Sequence, residues 1–246
     1  MHDRGAGGES VKPELIVALD FDSKEKALKL VEELGSPVKH YKVGLELFSR
    51  AGTEAVKELS KLGKKVFLDL KYHDIPNTVK SAAKVAIEAG VFMYNLHALG
   101  GFELMKQVAE FNAEYAEKIG VAKPLVIAVT VLTSMKEDDL KEVGIERSVN
   151  EEVLKLAELA KRAGLNGVVC SAKEVRLIKE NLGEDFLTVT PGIRPSWAAK
   201  NDQKRVVTPR MAKELGTDFI VVGRPITKAP NPKKAAERVI EEIKNH

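Results

Sequence analysis

From Leu15 onward, short runs of β-branched and apolar residues alternate with longer stretches whose apolar positions recur every three or four residues, and no Pro/Ser-rich linker or composition shift interrupts them. Eight strands are predicted, at 15–20, 41–44, 65–71, 92–97, 125–130, 167–171, 187–191 and 219–223. The segment 79–88 typifies the intervening helices: Val79, Ala82, Ala83, Ala86 and Ile87 share one face, while Lys80, Lys84 and Glu88 point outward. Helices are expected to stop at Gly35, Gly63, Gly90, Gly120, Gly164, Gly183 and Gly216, where a left-handed residue ends each one before the next strand. The strands are apolar at nearly every position, as in Val126-Ile127-Ala128-Val129, so both faces should be covered, which favours a parallel sheet. Eight such units predict an α/β protein with one domain, a (β/α)8 TIM barrel over 13–246, preceded by a Gly-rich tail at 1–12 that is expected to be disordered. An open doubly wound sheet is the alternative, although no Gly-rich dinucleotide fingerprint follows Asp20.

Composition narrows the function classes. With 246 residues and 44% apolar content, the chain can bury a large core without disulfide or metal staples. Cys170 is the only cysteine, so an internal disulfide and Cys-rich zinc patterns are excluded, and its neighbours Val168, Val169 and Ala172 place it in a buried strand as packing. The net charge of +3 is spread over Lys and Glu along helices rather than gathered in a basic stripe, so nucleic acid is not an expected partner. Apolar runs fall far short of the roughly 20 residues of a membrane span, and the first 11 residues lack the apolar core of a signal peptide, so a soluble cytoplasmic protein is expected.

In a barrel of this kind chemistry sits at the C-terminal ends of the strands. Those ends carry Asp20, Lys42, Asp69 with Lys71, His97, Thr130, Ser171, Thr190 with Arg194, and Arg224. Charges gathered in one mouth are costly unless they pair, and a purely structural barrel rarely collects so many. Asp69 and Lys71 are two apart, so on a strand they point to the same side, and Asp74 follows once the chain has left the strand. An ordinary ion pair at a strand end is the plain alternative. Asn77 or Thr78 is expected to cap a helix beginning near Val79.

A second group is independent of the first. Thr190-Pro191-Gly192-Ile193-Arg194 closes strand seven and Val222-Gly223-Arg224 closes strand eight, the two positions where such barrels commonly bind phosphate. Glycine lets backbone N–H groups approach an anion, and arginine grips it with two hydrogen bonds. Either stretch could instead form a simple turn.

These motifs give the chain a family resemblance. V-A-L-D at 17–20, Y-K-V-G at 41–44, D-L-K-Y-H-D-I-P-N-T at 69–78, T-P-G-I-R at 190–194, Asp202-Gln203 and V-V-G-R at 221–224 resemble the orotidine 5′-phosphate decarboxylases over nearly everything from Leu15 onward. The ten-residue central motif is highly specific; V-V-G-R alone is not. The resemblance implies decarboxylation of orotidine 5′-monophosphate to uridine 5′-monophosphate and CO2, with no metal and no organic cofactor. It makes Lys71 the cation and proton donor, sets Asp69 near the departing carboxylate, and has Lys42 and Asp74 complete an alternating charge network. Asp20 and Lys42 would meet the ribose, Thr130 the pyrimidine, and Arg194, Gln203, Gly223 and Arg224 the phosphate, with Pro191 beside them. Asp74 and Thr78 would reach into a partner subunit's site, making a homodimer with shared active sites.

Other features attach less firmly. His97-Ala98-Leu99-Gly100-Gly101 resembles the family's H-A-x-G-G stretch, with Leu99 where Ala is usual, and His97 is expected to be structural. His73 should point away from Asp69 and Lys71. Trp197, in a candidate lid at 195–201, could cover the substrate or anchor the segment to the barrel. Two rivals stand beside the decarboxylase: a magnesium-dependent keto-sugar-phosphate decarboxylase or hexulose-phosphate synthase, which shares D-x-K-x-x-D but needs further acidic ligands, and a noncatalytic nucleotide-binding barrel.

Overall fold

A computed structural model describes residues 13–198 and 207–244. Eight strands, β1 (Glu14–Ala18), β2 (His40–Gly44), β3 (Lys65–Tyr72), β4 (Met93–His97), β5 (Leu125–Val129), β6 (Gly167–Val169), β7 (Leu187–Thr190) and β8 (Phe219–Val222), pair in parallel and in sequence order. β1 also pairs with β8, so the sheet closes. The barrel is therefore the fold, and the open doubly wound alternative falls.

Around it run α1 (Lys24–Leu34), α2 (Leu45–Lys61), α3 (Pro76–Glu88), α4 (Gly101–Ile119), α5 (Glu137–Glu142), α6 (Val149–Arg162), α7 (Val175–Leu182), α8 (Pro209–Glu214), α9 (Arg224–Thr227) and α10 (Pro232–Lys244). All seven glycines expected to end helices have positive φ, between 65° and 87°. α3 buries Val79, Ala83, Ala86 and Ile87, the face its periodicity predicts. Its start differs from expectation. The helix begins at Pro76 with Ile75 as N-cap, and neither Asn77 nor Thr78 caps it, because Pro at the first position has no N–H to satisfy and presets the helical φ.

Two apolar layers result from the two-faced strands. Inside the barrel, Ile16, Ala18, Phe67, Met93, Ile127, Val189, Phe219 and Val221 form a compact plug. Outside it, alternate strand residues such as Val17, Tyr41, Leu68, Tyr94 and Leu96 pack against the helices. Cys170 is fully buried there, and burial pushes its thiol pKa up, so it is packing as predicted. Among the described residues no helix is long and apolar enough to cross a membrane.

Candidate active site

Above the plug, one layer of polar side chains faces inward. Lys42 pairs in register with Phe67, and Gly44 with Asp69, so β2 and β3 deliver Lys42 and Asp69 to the same mouth. Lys42 Nζ lies 3.2 Å from Asp20 Oδ1 and 3.3 Å from Asp69 Oδ2, and Lys71 Nζ lies 2.7 Å from Asp69 Oδ1. The four groups form an alternating chain, Asp20, Lys42, Asp69, Lys71. Asp69 is the more sheltered of the two carboxylates, its side chain 14% exposed against 53% for Asp20. Burial pushes the Asp69 carboxyl up, but Lys42, Lys71 and the amide of Asn95 outweigh it and hold the pKa below the usual carboxylate value.

Gly44 makes room for this chain. A Cβ there would stand 2.7 Å from Lys42 Nζ and 3.4 Å from Asp20 Oδ1. Lys71 has φ 53°, the sole non-glycine residue with positive φ among the described residues. The left-handed region costs an L-residue roughly 1–2 kcal/mol. It coincides with an irregularity in the ladder: Leu68 pairs with Tyr94, but the next partners are Tyr72 and Leu96.

Asn95 was not among the residues singled out in the sequence. It is fully buried on β4; its Oδ1 accepts the Lys71 N–H at 2.8 Å and its Nδ2 donates to Asp69 Oδ1 at 2.8 Å. A polar Asn at the centre of the apolar run Met93-Tyr94-Asn95-Leu96 was the available signal.

The charges border a cavity of about 250 Å³ lined by Lys42, Phe67, Asp69, Lys71, Val129, Val131, Leu132, Thr133, Val169, Val189, Pro191 and Val221. A larger hollow of about 440 Å³ adjoins it, sharing Val131, Leu132, Thr133 and Pro191. Pro191 lines both hollows. Thr130 does not: it is fully buried and its hydroxyl donates to the Val169 carbonyl at 3.2 Å, so Thr133 supplies the threonine of the cavity wall. The alternation of a strand explains the miss, because Thr130 ends the regular run and its side chain turns into the wall.

Several strand-end polar groups are structural. Ser171 accepts the Lys173 N–H, and Thr190 shares a 2.6 Å hydrogen bond with Thr217. His97 Nδ1 accepts the Leu99 N–H, its ring stacks on His73 at 5.2 Å, and burial, helped by His73 and Lys71, holds its pKa below the usual imidazole value. Leu99 is 48% exposed, so its bulk meets no packing constraint. Asp74 is exposed, its Oδ1 accepts the Ile75 N–H at 2.7 Å, and it joins no ion pair among the described residues; Thr78 is exposed on the first turn of α3.

Arg194 and Gly192 lie in the loop after β7, and Gly223 and Arg224 directly follow β8. The exposed Arg224 lines a surface groove with Trp197, Lys228 and Arg238 rather than the charged cavity. Trp197 packs on the core, with the Arg238 guanidinium 4.0 Å from its ring centre, which is the anchoring arrangement. Gln203, Asp202 and the stretch 199–201 lie outside the described residues.

Fold and site together define a barrel enzyme with a chain of alternating carboxylates and ammonium groups at its C-terminal mouth. The model of the orotidine 5′-phosphate decarboxylase / HUMPS family matches residues 13–239, and the chain belongs to that family. It is 48% identical over 231 residues to orotidine 5′-phosphate decarboxylase of Syntrophomonas wolfei, covering 93% of this chain and 97% of the relative. It is 51% identical over 231 residues to the Legionella pneumophila enzyme of that name, covering 94% and 99%. The crystal structure of orotidine 5′-phosphate decarboxylase from Lactobacillus acidophilus superposes with a TM-score of 0.84 at 44% identity, covering 95% of this chain and all of that one.

Proposed function

We propose that the protein decarboxylates orotidine 5′-monophosphate to uridine 5′-monophosphate and CO2 in pyrimidine biosynthesis, in the cytoplasm, using its own side chains without a cofactor. The observation that carries this is Lys71 Nζ held 2.7 Å from Asp69 at the edge of the cavity. Cleavage of the bond to the carboxyl carbon releases CO2 and leaves the electron pair on a pyrimidine ring carbon with little resonance relief. A preorganised cation at that point stabilises the charge as it develops. Lys71 is that cation, and one of its N–H protons passes to the ring carbon. Asp69 faces the departing carboxylate, and Lys42 holds Asp69 ionised from the other side.

The remaining contacts complete the assignment. Asp20 and Lys42 meet the ribose, Thr133 replaces Thr130 as the cavity hydroxyl toward the pyrimidine, and the loops after β7 and β8, with Pro191, Arg194, Gly223 and Arg224, take the phosphate; Gln203 belongs to the same assignment. Charge-assisted hydrogen bonds of about 1.5–3 kcal/mol each give this remote group substantial binding energy. Asp74 and Thr78 serve the partner's site in a homodimer. Their exposure beside Ile75, itself 67% exposed, supports that role.

The test follows the absorbance change as orotidine 5′-monophosphate is consumed. Turnover by wild type, persisting in EDTA, with Lys71→Ala losing several orders of magnitude in rate while still binding uridine 5′-monophosphate, is the expected result. Dependence on added magnesium would favour the keto-sugar-phosphate branch of the family, and binding without turnover would favour a noncatalytic barrel. Mixing Lys71→Ala with Asp74→Ala subunits should restore activity, since a mixed dimer has one intact site; no recovery despite subunit exchange would remove the sharing.

A further inference from the structure

We infer that Asn95 is a positioning residue that holds both members of the Asp69–Lys71 pair, an assignment that rests on the decarboxylase reading of this site. Between the pairs Leu68 with Tyr94 and Tyr72 with Leu96, β3 has three residues where β4 has one, so the ladder offers Lys71 no regular partner. The Asn95 side chain takes over that role. Its Oδ1 accepts the Lys71 N–H at 2.8 Å, which fixes the backbone at φ 53°, and its Nδ2 donates to Asp69 Oδ1 at 2.8 Å, the oxygen that also receives Lys71 Nζ at 2.7 Å. One planar amide thus sets where the lysine stem starts and where its ammonium ends.

Only a carboxamide of this length has a donor and an acceptor in one plane here. Serine is too short to reach both partners, glutamine is one methylene too long, and aspartate keeps the acceptor but turns a second carboxylate toward Asp69. Asn95 is also fully buried, so water does not replace either bond without entering the apolar layer formed by Met93 and Ile127. Asn112 offers a control. It too is a buried asparagine with both ends engaged, accepting from the Tyr94 hydroxyl at 3.1 Å and donating to the Pro124 carbonyl at 2.9 Å, but it lies on α4, outside the cavity lining.

The experiment compares the full-length wild type with Asn95→Ala, Asn95→Asp and Asn112→Ala by steady-state decarboxylation, titration with uridine 5′-monophosphate, and thermal melting. Expected for Asn95→Ala is a kcat about 100-fold lower, the cost of a misplaced reacting group, with nucleotide affinity within about threefold of wild type because ground-state contacts are intact. Asn95→Asp, nearly isosteric and so able to fold if the alanine variant is not, should lose rate at neutral pH and show its acid limb at higher pH, since two adjacent carboxylates share a proton. Asn112→Ala should melt lower with kcat retained. A kcat within about twofold of wild type in either Asn95 variant, or a parallel loss of rate and nucleotide affinity, overturns the assignment. If the wild type itself fails to decarboxylate, the decarboxylase reading falls, and a crystal structure of Asn95→Ala, which lacks both bonds, decides the positioning separately: an unchanged left-handed Lys71 and an intact Lys71–Asp69 contact overturn it.

Discussion

Replacing Lys42 by methionine keeps most of the side-chain stem and removes one of the two cations that face Asp69. At the observed 3.3 Å, the gross attraction between Lys42 and Asp69 is about 5 kcal/mol at an effective dielectric of ~20. Much of that is offset by lost hydration, and an opposite charge at this range typically shifts a carboxylate by about 1–3 pKa units, or roughly 1.4–4 kcal/mol. The sign follows from the cause. Burial pushes Asp69 up and Lys42 is the foremost of the groups that bring it down, so Lys42→Met raises its pKa. The limb of kcat/KM that requires ionised Asp69 should then move upward by about 1–3 pH units, out of the acid region where the wild type keeps it. The same linkage acts on stability. A depressed folded pKa contributes stability that is present above the unfolded value near 3.8 and is lost as pH falls through the folded pKa. The variant should accordingly melt below wild type at neutral pH, and the gap should narrow in acid. Decarboxylation rates and melting curves across the pH range read both effects. An acid limb that stays in place while the rate falls would show that Lys42 does not govern the ionisation of Asp69.

Gly44→Ala should lower kcat/KM by up to about 10²-fold with little change in melting temperature, because the new Cβ displaces the flexible end of Lys42 rather than backbone; unchanged kinetics would mean the ammonium has another seat. Arg224→Ala should weaken uridine 5′-monophosphate far more than uridine in parallel titrations, and equal losses would move the phosphate site elsewhere. Lys179→Met should cost about 3–5 kcal/mol by leaving buried Asp218 without its 2.8 Å partner. That is a fall of roughly 6–20 °C in melting temperature at 2–4 °C per kcal/mol, with kcat nearly unchanged, and a fall of only a degree or two would show that the Thr188 N–H and hydroxyl suffice for Asp218.

The barrel was legible because its signals are local and repeated. Two-faced apolar strands, helices with one apolar stripe and glycines at the helix ends each report on their own few residues, and their order needs no long-range information. The acidic and basic members of the site were legible for a similar reason, since charges at strand ends betray a mouth. What stayed hidden depends on pairing across strands. Asn95 is meaningful only through the 24 residues that separate it from Lys71 and the gap in the ladder it fills. Thr130 and Thr133 are both threonines just after an apolar strand, and only the exact end of β5 decides which one faces the cavity. The cap of α3 was misassigned because Asn and Thr ordinarily favour such positions, whereas here Pro76 starts the helix before either is reached.

The spacing that first linked Asp69 to Lys71 holds for a reason the spacing itself does not contain. Strand alternation assumes a regular ladder, yet β3 is irregular between Leu68 and Tyr72. One extra residue would have exchanged the two faces of the strand and buried Lys71 among the helices. The excess is two, three residues on β3 against one on β4, so parity survives: Leu68 and Tyr72 pack on the outer side, as do Tyr94 and Leu96 opposite them. Asp69 and Lys71 therefore keep their inward sense, while the additional chain gives Lys71 a left-handed backbone that a flat strand would not allow. The irregularity is thus the device that lets two consecutive inward positions present a carboxylate and an ammonium to one another, and the strain it stores falls at the residue whose ammonium the chemistry needs.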